Sequence, residues 1–219
     1  MPRVWAVVVA GGSGSRFGRP KQFELLGDRP VVAWAVEACR AVAESVVVVL
    51  PEDAAGRTFG ADVAVTGGST RSASVRRGLE AVPASAEVVV VHDAARPFAS
   101  PSLFVEVVAA LDDPSVAGAV CAVPVADTLK RVDGPLAPGS EAPAVVQTVD
   151  RDLLVAVQTP QAFRASDLRR AHAGAGEATD DAAMVEALGL SVRAVPGDPR
   201  NLKITTPADL AVAGRLLGA

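Results

Sequence analysis

Apolar residues along this chain come in two rhythms, short unbroken β-branched runs and longer stretches with helical spacing. A run without polar alternation has no wet face, so it predicts a strand buried on both sides. Residues 4–10 and 45–50 fit that pattern, and 62–66, 87–92, 116–123 and 191–195 read as further strands. Between them, residues 30–43, 70–81, 166–173 and 179–188 carry the helical rhythm. Two more helices are announced by their first residues. Ser100-Pro101 sets a capping hydroxyl before a proline at the first helical position. Thr206-Pro207-Ala208-Asp209 adds an acid in the first turn. Strands alternating with helices predict an α/β fold, a Rossmann-like, mainly parallel sheet flanked by helices. Ligands in such sheets bind beyond the C-terminal strand ends. That singles out the loops at 10–22, 67–74 and 93–100, and the segment around Lys203.

One segment breaks the rhythm. Residues 126–149 contain Gly134, Pro135, Pro138, Gly139 and Pro143 between ends of alternating polarity. They predict a protruding arm, a hairpin outside the central sheet. With no internal repeat, residues 1–219 read as a single domain carrying that arm.

Composition changes this picture little. Half of the 219 residues are apolar, enough for a full core. The net charge of −4 argues against non-specific nucleic-acid binding, while leaving room for a small anion held by a few local cations. Cys39 and Cys121 lie in apolar surroundings without metal-ligand spacing, and read as buried structural thiols. Neither a signal-peptide pattern nor a membrane-length apolar run is visible, so the expected compartment is the cytoplasm.

The chemistry begins in the first loop, Ala10-Gly11-Gly12-Ser13-Gly14-Ser15-Arg16-Phe17-Gly18-Arg19-Pro20-Lys21-Gln22. Glycines let the backbone approach a phosphate and aim N–H groups at it. Arg16 adds a planar fork of positive charge and Lys21 a point charge. Two common phosphate loops fail on residues. A Walker loop needs Gly-Lys-Ser/Thr, and Gly18 is followed by Arg19; a dinucleotide fingerprint from Gly12 needs glycine at position 17, which is Phe17. His92, closing a buried run, reads as a hydrogen-bonded structural residue, and His172, on a polar helix, as solvent-facing.

An Ala-Gly-Gly-x-Gly-x-Arg-Phe loop ending in Pro-Lys-Gln resembles the nucleotidyltransferases that activate sugars and sugar alcohols. The likeness continues in Val91-His92-Asp93-Ala94-Ala95-Arg96-Pro97, Asp127-Thr128-Leu129-Lys130-Arg131 and Thr148-Val149-Asp150-Arg151. It extends through Gln158-Thr159-Pro160-Gln161, Thr179-Asp180 and Asn201-Leu202-Lys203-Ile204-Thr205. The ordered set spans the chain and is similar to the 2-C-methyl-D-erythritol 4-phosphate cytidylyltransferase family of the non-mevalonate isoprenoid pathway. Ribitol-5-phosphate cytidylyltransferases share the first loop, but differ between His-Asp and Arg-Pro and lack Thr-Val-Asp-Arg. A non-catalytic nucleotide-binding module would have lost Arg16, Lys21, Asp93 and Lys203, all present here.

The resemblance implies CTP as co-substrate, a small sugar-alcohol phosphate as acceptor, and no nucleic-acid or membrane partner. Ala10, Gly11, Gly12 and Gly14 would wrap the triphosphate, with Arg16 and Lys21 stabilising charge at the reacting phosphorus. Gly68, Ser69, Ser74 and Ala94 would hold cytosine and ribose, though Ser69 stands where many relatives carry an acid. Asp93, Arg96, Thr128, Thr159, Thr179 and Lys203 would line the acceptor site. Arg151 would enter the neighbouring site of a homodimer, carried by the arm. Mg²⁺ would bridge triphosphate oxygens, with Asp93 its best protein-side candidate. The implied catalytic set is Arg16, Lys21, Arg151 and Lys203: positioning and fixed charge, with no nucleophilic side chain.

Overall fold

The structure, a computed structural model, describes residues 2–12, 17–137, 139–174 and 176–218. Strand β1 (Val4–Val9) leads past the glycine loop to a short ribbon of β2 (Leu25–Leu26) and β3 (Arg29–Pro30), then helix α1 (Val31–Cys39). β4 (Ser45–Leu50), β5 (Val63–Thr66), α2 (Arg71–Ala81) and β6 (Val88–Asp93) follow. Next come α3 (Pro101–Ala109), β7 (Gly118–Pro124), β8 (Leu129–Val132) and β9 (Val145–Val149). β10 (Val155–Arg164), α4 (Ala165–His172), α5 (Asp181–Glu186), β11 (Val192–Pro196) and α6 (Pro207–Leu217) complete the chain.

Seven strands form one sheet in the order β11-β7-β10-β6-β1-β4-β5. Its neighbours run parallel except where β10 meets β6 and β7. The mainly parallel α/β architecture predicted from the two rhythms is therefore what forms. The β-branched runs are central for the reason that made them legible. Successive residues of a strand face opposite ways. Val8 joins the apolar cluster on one face with Val48 and Phe104, and Val7 joins the other with Val47 and Phe163. All are fully buried, each stabilising the fold by roughly 1.5–3 kcal/mol. Gly78 brings α2 close against β1: a Cβ there would stand 2.4 Å from Val7 Cγ1. That approach sets the N-terminus of α2 beside the end of β1. No described helix is long and apolar enough to cross a membrane.

The sequence pattern predicted no strand where β10 lies, although it is the longest described. Its apolar residues are interrupted by Gln158-Thr159-Pro160-Gln161, and proline cannot donate to a ladder. The register against β7 shifts between Val157 and Gln161, so Pro160 sits at an irregularity that the sheet tolerates. The segment 126–149 does contain a separate antiparallel ribbon, β8 with β9, in which Lys130 Nζ donates to Thr148 Oγ1 at 2.6 Å. Pro138 lies outside the described residues.

Three local expectations meet the structure differently. Thr206 and Asp209 form a reciprocal capping box at α6. Ser100 precedes α3 as expected, but its hydroxyl lies 2.9 Å from that of Ser102 and makes no cap bond. His172 is not solvent-facing: it closes α4 against α5, is 4% exposed, and lies 2.9 Å from Asp181. Of the arginines beside it, Arg170 is exposed, while Arg169 is half-buried and donates to the carbonyls of Val82 and Pro83. Cys39 and Cys121 are buried thiols, and burial pushes the Cys121 thiol up to about 12.

Candidate active site

Two adjoining cavities open where the loops after β1, β6 and β11 and the irregular middle of β10 converge with the N-terminus of α2. The first holds about 380 Å³. Ala10, Gly11, Gly12, Lys21, Gly68, Ser69, Ser74 and Ala94, all expected from the sequence at the nucleotide, line it. Gly14 and Arg16 lie outside the described residues.

Glycines and alanines make up much of its lining, and buried side chains shape it. Gln22, 4% exposed, donates through Nε2 to Ala10 O at 2.8 Å and to Gly12 O at 3.0 Å, drawing the glycine loop into a curve. Gly68 packs so tightly that a Cβ would stand 2.4 Å from Ala73 Cβ. Ser74 Oγ accepts from Gly68 N–H at 3.2 Å and donates to Thr70 O at 2.9 Å. Thr70 caps α2 by accepting from Ala73 N–H at 3.0 Å. The free N–H groups of that helix end favour an anion.

The second cavity, about 220 Å³, is lined by Asp93, Arg96, Thr159, Thr179 and Lys203, the residues expected to meet the acceptor. Arg71, Asp93 and Lys203 border both cavities. Thr128 and Arg151 line neither: both are exposed near the start of β8 and the end of β9, where Arg151 Nη1 donates to Ala126 O.

Asp93 is the electrostatic centre. Its Oδ2 accepts from Lys203 Nζ at 2.6 Å, and its Oδ1 from Arg71 Nε and Nη2 at 3.4 Å each. Burial alone would push this carboxyl up, but Arg71, Lys203 and Arg96 outweigh it and hold it well below the usual carboxylate range. Arg96 donates to Asn201 O at 2.7 Å, its Nε is buried with no hydrogen-bond partner among the described residues, and burial lowers its pKa. A guanidinium short of partners at a cavity wall suits an anionic ligand.

His92 is a strut. Its Nε2 faces the carbonyl of Arg96 at 3.2 Å, so that nitrogen carries the proton. Nδ1 then accepts from the Thr159 hydroxyl at 3.1 Å, whose oxygen accepts from Asp93 N–H at 3.0 Å. Burial pushes His92 down to about 4, so it is neutral at pH 7 and ties Thr159, Asp93 and Arg96 together, as its sequence position suggests.

The sequence reading passed over Arg71, Gln22 and Asn201. Arg71 left a signal: a cation in the first turn of a helix opposes the helix dipole, so something else must hold it there. Gln22 and Asn201 stand within the motifs that carry the family likeness, but their bracing role depends on partners 10 to 43 positions away. For a metal, the described residues contain no group of three His, Cys, Asp or Glu. Asp93 is the one carboxylate among those lining the first cavity. A Mg²⁺ there would take most of its oxygens from phosphate and water, the usual arrangement for this ion.

The family model described as IspD, 2-C-methyl-D-erythritol 4-phosphate cytidylyltransferase, matches residues 4–219. The 2-C-methyl-D-erythritol 4-phosphate cytidylyltransferase of Deinococcus radiodurans is 45% identical over 226 residues, covering 99% of this chain and 90% of that protein. A bifunctional enzyme IspD/IspF of Anaeromyxobacter sp. (strain Fw109-5) is 46% identical over 99% of this chain, which spans 58% of that longer relative. The crystal structure of 2-C-methyl-D-erythritol 4-phosphate cytidylyltransferase from Thermus thermophilus superposes with a TM-score of 0.81 at 39% identity, covering 98% of each chain.

Proposed function

Since the chain belongs to the IspD family of 2-C-methyl-D-erythritol 4-phosphate cytidylyltransferases, we propose that it transfers CMP from CTP to 2-C-methyl-D-erythritol 4-phosphate. The products are 4-diphosphocytidyl-2-C-methyl-D-erythritol and pyrophosphate, in non-mevalonate isoprenoid biosynthesis. The observation that carries this reading is the pair of cavities sharing Arg71, Asp93 and Lys203. A glycine-walled cavity suits a triphosphate and a cation-walled one suits a compact phosphate ester, with their common border at the reacting phosphorus.

In this reading an acceptor phosphate oxygen attacks the α-phosphorus of CTP. The bond from that phosphorus to the oxygen bridging to the β-phosphate breaks, and pyrophosphate leaves. A phosphate ester at neutral pH is already anionic, so no general base is needed. That agrees with a His92 held neutral as a strut. What remains is to bring two polyanions together, the task of Arg16, Lys21 and Lys203, with Arg151 acting from the partner subunit. Mg²⁺, carried by the triphosphate beside Asp93, offsets oxygen–oxygen repulsion when bound. We further infer one nucleotidyltransferase domain over residues 1–219, a homodimer joined through the arm, and a cytoplasmic location.

The test is pyrophosphate release with CTP, ATP, GTP and UTP, each with methylerythritol phosphate and with ribitol 5-phosphate. Turnover with CTP and methylerythritol phosphate is expected. Preference for ribitol 5-phosphate, or absence of release with every pair, overturns the reading.

A further inference from the structure

A chain of paired charges runs from the back of the molecule to the border of the two cavities, and the proposed reaction uses only its front. Asp181, on α5, is 1% exposed. A buried carboxylate is costly unless paired, and this one has two partners. Its Oδ1 lies 2.9 Å from His172 Nε2, and its Oδ2 accepts from Arg71 Nη1 at 2.8 Å. Since an ionised carboxylate only accepts, His172 donates through Nε2. Arg71 then reaches Asp93 by contacts of 3.4 Å, longer than its bond to Asp181. The guanidinium is therefore anchored from behind and touches the site loosely in front. Burial alone would lower the Arg71 pKa, but Asp181 and Asp93 raise it further.

The same helix also grips the loop that leads into α5. Thr70 Oγ1 donates to Glu177 Oε1 at 2.8 Å, and Arg76 Nη1 to Gly176 O at 3.0 Å. Thr70 and Arg71 line the first cavity, while Thr179 and Asp180 in that loop line the second.

We propose that Asp181, braced by His172, is a positioning residue that sets Arg71 between the two cavities, where it faces both bound anions at once. An arginine tethered only to Asp93 would fold over that carboxylate and away from a ligand. Asp181 draws one nitrogen back, leaving the planar fork across the border. The inference deepens the nucleotidyl-transfer reading and rests on it.

The experiment is a double-mutant cycle on the full chain, with pyrophosphate release normalised to folded protein and CTP binding read by calorimetry. Asp181→Asn is expected to lower kcat about tenfold, the scale of one mispositioned charged donor. In an Arg71→Lys background, where no fork remains to be set, the same change should cost less than about twofold. Independent, multiplicative effects overturn the inference, as does an Asp181→Asn enzyme with wild-type kcat and KM values. If Asp181→Asn does not fold, the brace carries the test: His172→Phe lowers kcat about threefold, and His172→Gln, which keeps an N–H donor, recovers at least half of the loss. Equal losses in both, or none in either, overturn it. A wild-type chain without turnover overturns the assigned reaction instead, and the cycle is then read on CTP binding, where additivity of Asp181 and Arg71 sinks the positioning claim.

Discussion

The two cavities share a border but are built from different material. The first is lined largely by glycines, alanines and small hydroxyl residues, among them Ala10, Gly11, Gly12, Gly68 and Ser69, with Gln22 and Ser74 bonding its backbone. The second is walled by charged and hydroxyl side chains, and most are tied to one another: Thr159 to His92 and Asp93, Lys203 to Asp93, Arg96 to Asn201. A triphosphate offers many oxygens and can be cradled by N–H groups, so it needs little side-chain chemistry. A compact acceptor offers few handles, so the groups that meet it must be locked in place. Substitutions in the first cavity should then act through backbone shape and the few cations, and those in the second through broken networks.

The strongest way to break this contrast is Lys21→Ala, with Arg16→Ala beside it. Each should lower kcat by about 10²-fold or more, the scale of losing one transition-state donor, in a steady-state pyrophosphate assay. A loss confined to the KM for CTP would reduce these residues to nucleotide anchors.

Acidification probes the network of the second cavity. The neutral form of His92 is favoured by burial, its folded pKa of about 4 lying below the unfolded value near 6.5. Between those values the unfolded chain binds the extra proton, so stability falls as the pH drops. The loss should reach on the order of 3 kcal/mol by pH 4, read from urea midpoints. The folded pKa of Asp93 is depressed too, but by Arg71, Lys203 and Arg96 against the effect of burial, so its contribution holds above the unfolded carboxyl value and is lost only in stronger acid. His92→Gln should flatten the slope between pH 6.5 and 4, and an unchanged slope would place its origin elsewhere.

Thr159→Val keeps the shape of the side chain and removes the hydroxyl joining Asp93 N–H to His92 Nδ1. It should cost about 1–3 kcal/mol of stability, and raise the KM for the acceptor more than that for CTP. Equal effects on both substrates would mean that the cavities are not energetically separate.

The mildest change is Arg151→Ala. It should raise the acceptor KM about tenfold, as loss of one charge-assisted hydrogen bond does, while calorimetric CTP affinity stays within about twofold. In a mixed dimer of Arg151→Ala and Lys21→Ala chains, the site with an intact Lys21 should regain the wild-type acceptor KM if Arg151 acts across the subunits, and a KM that stays about tenfold raised would assign Arg151 to its own chain.

The contrast also governs what was legible beforehand. Glycine loops and strand ends are local features, so the loops at 10–22, 67–74 and 93–100 could be picked out by position and composition, while the role of Gly68 within its loop came through family likeness. Thr128, Thr179 and Arg151, proposed for the acceptor, came through family likeness, because nothing in their immediate neighbours marks them. β10 was missed since Pro160 breaks the pattern that marks a buried strand, and only the irregular pairing with β7 accommodates it. His172 was misjudged since its charged neighbours hide that one face of α4 is buried.

By itself, then, the sequence determined the parallel α/β frame, the glycine-rich loop after β1 and the capped start of α6. These rest on forces that act over a few residues: burial of unbroken apolar runs, glycine freedom and helix capping. Only the tertiary structure decided that Arg71 belongs to both cavities, that Asp181 and His172 stand behind it, and that His92 is locked neutral. Those facts depend on pairings such as Arg71 with Asp181, 110 positions apart. Their strength comes from the low-dielectric interior that forms only when the sheet closes over them.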